Sequence, residues 1–384
     1  MMDRSDFLLN PDVVFLNHGS FGACPKEILD EEFRWQQLLE KEPVAFFHAL
    51  PERMQQAREQ LAQMVGARRT DLVFVTNSTY GANVMAYAMA RYLNAGDEIL
   101  LTDHEYGACR RAWEFHLQGT GITISTVAIP IPVPDAETVM HIITKAITGK
   151  TRAVFISHIT SPTAARMPVE RLAEFTQRQK VLLLVDGAHA LGHIDLDLGV
   201  LGADMYTANC HKWMCMPKGS GMLWVAPHLQ QHVPPLIGSW GNTWTSVNDG
   251  TFIDEHEYLG TRDPSCFLTI HAAQRWMKKS NWNKVISDSH LLVQYGVQAL
   301  CSLHNTIQPV QSDWEQHRLM MGSVLVPMVL DSAQFQRVLL EKYSIQCICL
   351  TWLDATILRF SIHGYTTQPE VDALVKAVAL ELGL

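Results

Sequence analysis

The residues best suited to chemistry are an aspartate and a lysine that stand 26 positions apart. In VLLLVDGAHALG, residues 181 to 192, an apolar run ends in Asp186 and a glycine follows at once. In an α/β sheet this pattern puts a carboxylate in the ligand crevice at a strand's carboxyl end. In DMYTANCHKWMCMPKGSGMLWV, residues 204 to 225, Lys212 falls between two short apolar runs and is flanked by His211 and Trp213. Alone, an aspartate after a strand is commonly a turn former or helix cap, and a lone lysine is commonly solvated. As a pair they supply what pyridoxal-phosphate chemistry requires. The amine forms a Schiff base, and the carboxylate keeps the pyridinium nitrogen protonated as an electron sink.

A phosphate also needs a cradle. VFVTNSTYGAN, residues 73 to 83, reads as a strand followed by Asn77, Ser78 and Thr79 at the start of a helix. Free backbone N–H groups, two hydroxyls and the helix dipole favour an anion there. The same residues also fit an ordinary helix cap.

These groups must be held by a sheet. Short apolar runs alternate with longer helical stretches: LVFV at 72 to 75, EILL at 98 to 101, ITIS at 122 to 125, AVFIS at 153 to 157 and VLLLV at 181 to 185. Further strands are expected near 204 to 207 and 222 to 225. Continuous apolar strands joined by helical crossovers predict an α/β, doubly wound, mostly parallel sheet. Ahead of it lie a turn-rich FLNHGSFG, residues 15 to 22, and helices near 26 to 42 and 51 to 66, the second starting at Pro51. After about Gly260 comes a long amphipathic helix near 281 to 302, strands near 322 to 329 and 356 to 361, and a closing helix from Gln368, which together read as a smaller C-terminal α+β domain. The chain divides into an N-terminal segment 1–25, a large cofactor-binding domain 26–265 and a small domain 266–384. No repeat, low-complexity segment or charge block interrupts it.

The 384 residues are 47% hydrophobic and carry a net charge of -9, which argues against nucleic acid and acidic membranes as partners. The N-terminus lacks a signal-peptide pattern and no run approaches the ~20 apolar residues of a membrane span, so a soluble, cytoplasmic protein is expected. The eight cysteines are scattered. Cys210/Cys215 and Cys347/Cys349 lack the second half of a zinc site, so reduced buried thiols and no metal are expected. The glycine cluster KGSGM, residues 218 to 222, lacks GxGxxG spacing and precedes a strand, which weighs against a nicotinamide dehydrogenase.

With VDGAHA at 185 to 190, NCHKW at 209 to 213 and TNSTYG at 76 to 81 in this order, the chain resembles the class V aminotransferase family of fold type I pyridoxal-phosphate enzymes. FLNHGSFG, EPVAFFHALP at 42 to 51, DHEYGA at 103 to 108 and HITSPTAARMPV at 158 to 169 are similar to its isopenicillin N epimerase-like branch. The resemblance covers nearly the whole chain. It implies that Lys212 carries pyridoxal phosphate, Asp186 pairs with the ring nitrogen, Tyr106 stacks on the ring and His189 contacts the ring's 3-oxygen. It further implies that Ser78, Thr79, Asn209 and His211 bind the phosphate, and that Ser161, where cysteine desulfurases usually have Asn, lies at the cofactor.

By the same resemblance GTRDPS at 260 to 265 places Gly260 and Thr261 at the phosphate of the neighbouring subunit in a homodimer, and Arg359 in ILRFSIHGYTT, residues 357 to 367, binds the α-carboxylate of an amino-acid substrate. The expected activity is an amino-acid epimerase, with a carbon–sulfur β-lyase or an aminotransferase as alternatives and a silent scaffold behind them. Epimerisation needs a second proton carrier, for which the Tyr106 hydroxyl or His104 stands nearby in sequence. A desulfurase needs an exposed nucleophilic cysteine before the arginine strand, and Cys347 and Cys349 lie in an apolar run instead.

Overall fold

The computed structural model describes residues 2–242, 251–326 and 331–384. After a two-residue strand β1 (Val14–Phe15), the chain forms β2 (Leu72–Val75), β3 (Glu98–Thr102), β4 (Thr123–Val127), β5 (Thr151–Ser157), β6 (Leu182–Asp186), β7 (Met205–Asn209) and β8 (Gly221–Val225). The last seven make one sheet in the order β2-β8-β7-β6-β5-β3-β4. Pairing is parallel from β4 through β7. The connection from β7 to β8 is too short for a crossover, so β8 runs antiparallel to both β7 and β2.

Alternation along each strand splits the apolar runs between two cores. Phe74, Leu100, Val154, Ile156, Leu183 and Val185 pack on one face. Val73, Val75, Leu101, Ala153, Phe155 and Leu184 pack on the other. β4 is the exception: it closes one edge, and its residues are only partly covered.

The two N-terminal helices span Lys26–Lys41 and Pro43–Met64. Pro51 therefore does not start the second helix but lies inside it. Pro43 takes the first helical position, where a missing N–H costs nothing, and burial of Phe46, Met54, Ala57 and Leu61 holds the helix together across Pro51.

The C-terminal part adds β9 (Gln308–Pro309), β10 (Met321–Val326), β11 (Ile345–Gln346), β12 (Ile348–Trp352) and β13 (Ala355–Ser361). β12, β13, β10 and β9 form an antiparallel sheet in that order, while β11 pairs in parallel with β1. Residues 327 to 329 of the expected strand lie outside the described residues. Helices Trp282–Leu303 and Gln368–Leu382 bury Val293, Val297, Val371 and Leu374 with Leu358 and Phe360 of β13. The last helix starts with a capping box between Thr367 and Glu370. Helix Ile270–Lys279 packs instead into the core beneath the large sheet, beside Ile28 and Phe46. Among the described residues, no helix is long and apolar enough to cross a membrane.

Candidate active site

The carboxyl ends of the central strands open into a cavity of about 290 Å³, and Asp186, His189 and Lys212 all line it. Asp186 is the last residue of β6 and is buried. Its carboxylate accepts from the Ala188 N–H at 3.0 Å and the Cys109 thiol at 3.3 Å, while burial raises its pKa above the usual carboxylate range. Lys212 stands in the loop between β7 and β8. Its Nζ lies 3.1 Å from His189 Nε2. Burial pushes the Lys212 ammonium down to about 7; the Arg359 cation adds to this, and the Asp186 carboxylate opposes it. Burial likewise holds His189 well below its ordinary pKa, so it is a neutral ring.

The cradle expected at 76 to 81 forms at the N-terminus of helix Ser78–Tyr92. Asn77 caps the helix by accepting from Tyr80 N–H, and Asn209 at the end of β7 accepts from Ser78 N–H at 2.9 Å. The helix sits so close to β7 that a Cβ on Gly81 would come within 2.0 Å of Thr207 Oγ1. Ser78, Thr79, Asn209 and His211 share the cavity with Lys212. His211 Nδ1 donates to the Ser220 carbonyl at 2.9 Å, and burial brings its pKa down to about 4. Its Nε2 is therefore an acceptor as it stands and needs a further proton to donate to a phosphate.

Tyr106 caps helix Gly107–Leu117 at the cavity mouth, 47% exposed. Arg359, on β13, is buried and brought down to about 10 by that burial. Its Nη1 donates to the Ser161 carbonyl and, at 3.3 Å, to Ser161 Oγ; Nη2 donates to Ser20 Oγ at 2.8 Å. Gly260 and Thr261 do not line this cavity. Gly260 borders a separate hollow, and Thr261 is exposed. His104 also lies away from it: the ring is buried, with Nδ1 on Thr163 Oγ1 and Nε2 on the Ile129 carbonyl. Both of its nitrogens are committed to the fold, so it is unsuited to serve as a proton donor here.

Several groups at the cavity carried no assigned role in the sequence reading. Ser20 and Phe21, from FLNHGSFG, reach it from the N-terminus, and Cys109 and Ser157 line its depth. Behind Ser157, Glu105 accepts from the Ser157 and Thr102 hydroxyls, both at 2.7 Å. Only the turn-rich motif and the DHEYGA segment flagged any of these in sequence.

Two buried polar atoms in the cavity, Ser78 Oγ and His189 Nδ1, have no hydrogen-bond partner among the described residues. Buried polar groups are rarely left so, and these two, with an amine of depressed pKa and a buried carboxylate, fit a phosphorylated pyridine aldehyde. A metal fits less well. His18, Cys215 and His363 are buried near one another, but the two imidazoles stack at 4.0 Å and 14°, so their in-plane lone pairs do not converge on one ion.

The chain is 31% identical to isopenicillin N epimerase of Amycolatopsis lactamdurans over 98% of its length and 96% of that protein's. It is 30% identical to putative L-cysteine desulfhydrase 1 of Oryza sativa subsp. japonica over 67% of this chain and 56% of that one. A solved structure of a C-DES mutant with glycine covalently linked to its PLP cofactor shares the fold, with a TM-score of 0.84 and 20% identity over 99% of both chains. The family model described as aminotransferase class-V matches residues 34–374, and the chain belongs to that family.

Proposed function

We propose that this protein is a pyridoxal-phosphate enzyme that acts at the Cα of an amino acid as an epimerase. The observation that carries the reading is that one cavity holds two separate proton-bearing side chains, Lys212 in its depth and Tyr106 at its mouth. Inversion at carbon requires removal and return of a proton by groups on opposite sides. The full-length similarity to an isopenicillin N epimerase supports the same choice.

When bound, pyridoxal phosphate supplies an electron sink for the pair left at Cα. Lys212 Nζ would carry the cofactor at rest and, once freed by the substrate amine, take the Cα proton, since its pKa of about 7 leaves much of it neutral. Asp186 would hold the proton on the ring nitrogen, and His189 Nδ1 would donate to the ring oxygen. Ser78, Thr79, Asn209 and His211 would bind the phosphate. In a homodimer the partner chain would add Gly260 and Thr261. Arg359 would bind the α-carboxylate beside Ser161, and the Tyr106 hydroxyl would return the proton from the other face.

A carbon–sulfur β-lyase is the second reading, favoured by the desulfhydrase relatives. A persulfide-forming desulfurase is disfavoured. Cys347 and Cys349 are buried, and that burial raises both thiols, Cys349 to about 12, so neither offers the exposed thiolate such a carrier needs. Incubating the loaded enzyme with single enantiomers from an amino-acid panel and separating the products on a chiral column tests the choice. The epimerase reading expects the opposite enantiomer with its side chain intact; pyruvate and ammonia from cysteine-type substrates would overturn it in favour of the lyase.

A further inference from the structure

We propose that the Asn17–Gly22 segment is a positioning strap that joins the carboxylate-binding arginine to the cofactor lysine, with His18 as the residue that holds the Lys212 main chain. The proposal rests on the reading of Lys212 as the cofactor lysine and goes beyond it.

The segment touches both residues through different side chains. On one side, Arg359 Nη2 donates to Ser20 Oγ at 2.8 Å, and Ser20 Oγ in turn donates to Asn17 Oδ1 at 2.6 Å. On the other side, His18 Nε2 lies 3.1 Å from the Lys212 carbonyl oxygen. The tautomer follows from the partners of the other nitrogen. The Ala23 N–H can only donate, and it points at His18 Nδ1 at 3.3 Å, where the Tyr365 hydroxyl also lies at 2.9 Å. Nδ1 is therefore the acceptor, Nε2 carries the hydrogen, and His18 donates to Lys212. Burial keeps the ring well below its ordinary pKa, consistent with that neutral form.

The far end of the segment is pressed against the same loop. Gly22 has φ +66°, and a Cβ there would lie 2.1 Å from the His211 carbonyl oxygen and 2.8 Å from that of Lys212. Lys218, from the same loop, donates to the Gly22 carbonyl at 2.6 Å. The strap thus bridges β13 of the small sheet and the β7–β8 loop of the large one, and it accounts for three features of FLNHGSFG: a buried histidine, a serine two residues on, and a glycine where no side chain fits. Fixing the main chain on either side of a reacting amine limits its excursions, and small misplacements of reacting groups are costly.

The test compares His18→Phe with His18→Gln in the cofactor-loaded enzyme. Both lose the ring acceptor for Tyr365, and only glutamine can place an N–H near the Nε2 position. The readouts are the pH midpoint of the Lys212-linked cofactor absorbance, kcat, and KM for the amino acid. The phenylalanine variant should shift the midpoint by about half a pH unit or more and lower kcat about tenfold with KM nearly unchanged, and the glutamine variant should restore most of both. A wild-type midpoint in the phenylalanine variant, or equal defects in both variants, would overturn the proposal.

If the phenylalanine variant does not fold, Ser20→Ala reads the other end of the strap. Propionate, which lacks an amine and so cannot displace Lys212, should bind about threefold to tenfold more weakly to it, as followed by the same absorbance band; wild-type propionate binding would overturn the strap. Absence of any absorbance band in the wild-type protein would instead sink the reading of Lys212, and the strap with it.

Discussion

Cys109 Sγ lies 3.3 Å from Asp186 Oδ2, and because a carboxylate only accepts, the thiol donates the hydrogen bond. The carboxylate proposed to pair with the cofactor ring is thus steadied by a sulfur that is itself pushed well above the usual thiol pKa, by burial first and by the Asp186 charge second. That thiol stays protonated and remains a donor. Replacing it by alanine removes a donor to a buried charge, which should lower kcat about tenfold, while Cys109→Ser should keep most of the activity. Steady-state rates of the two variants on the same substrate distinguish this from simple packing loss, which would affect both.

Lys212 sets the pH at which cofactor can be taken up. A neutral amine is needed to attack the aldehyde, so the rate at which cofactor-free protein acquires absorbance should rise through pH about 7 and level off above it. Burial is the larger cause and stays in place in Arg359→Met, but the second cause, a nearby cation, is gone. The midpoint should move upward in that variant, measured by stopped-flow absorbance across pH; an unchanged or lower midpoint contradicts the electrostatic account.

Glu105 gives a stability signature separate from activity. Burial raises its carboxyl from 4.5 to about 8, with the Ser157 and Thr102 hydroxyls opposing. The folded state therefore binds a proton that the unfolded chain releases over this range. Its contribution is full below the unfolded pKa and is lost as pH rises through about 8. Glu105→Gln should flatten the fall in unfolding free energy between pH about 5 and about 8.5, as read from urea unfolding at the two ends. Equal slopes in variant and wild type would contradict the assignment.

Much of this was legible in the sequence, for reasons that differ by element. Asp186 and Lys212 could be read because Asp186 ends the buried strand β6, where an apolar run stops at a carboxylate, and Lys212 stands in the short loop between two buried strands. The helix start at Ser78 carried a cap pattern as well as a phosphate pattern. Pro51 misled because proline at a helix start and proline inside a packed helix look alike locally, and only the burial of Phe46 and Met54 on either side decides. Cys109 and Glu105 were opaque as site residues: they act through Asp186 and Ser157, contacts made across 77 and 52 residues of chain. His104 shows the reverse, near Tyr106 in sequence but turned into the fold by Thr163 and Ile129.

Tyr106 carries the prediction that separates inversion from simple proton exchange. If its hydroxyl returns the proton on the second face, Tyr106→Phe should still wash deuterium into Cα from D2O with retention, while inversion slows by about a hundredfold. NMR of the α-proton combined with chiral separation measures both. Inversion at the wild-type rate would remove Tyr106 from that role.

The central claim is that Lys212 is the residue that carries the cofactor. Borohydride reduction of the protein loaded with pyridoxal phosphate, followed by peptide mass spectrometry, tests it most directly. The account predicts one pyridoxyl-phosphate modification, on Lys212, absent from Lys212→Ala. A modification located on another lysine, or none at all in a protein that binds the cofactor, would contradict it.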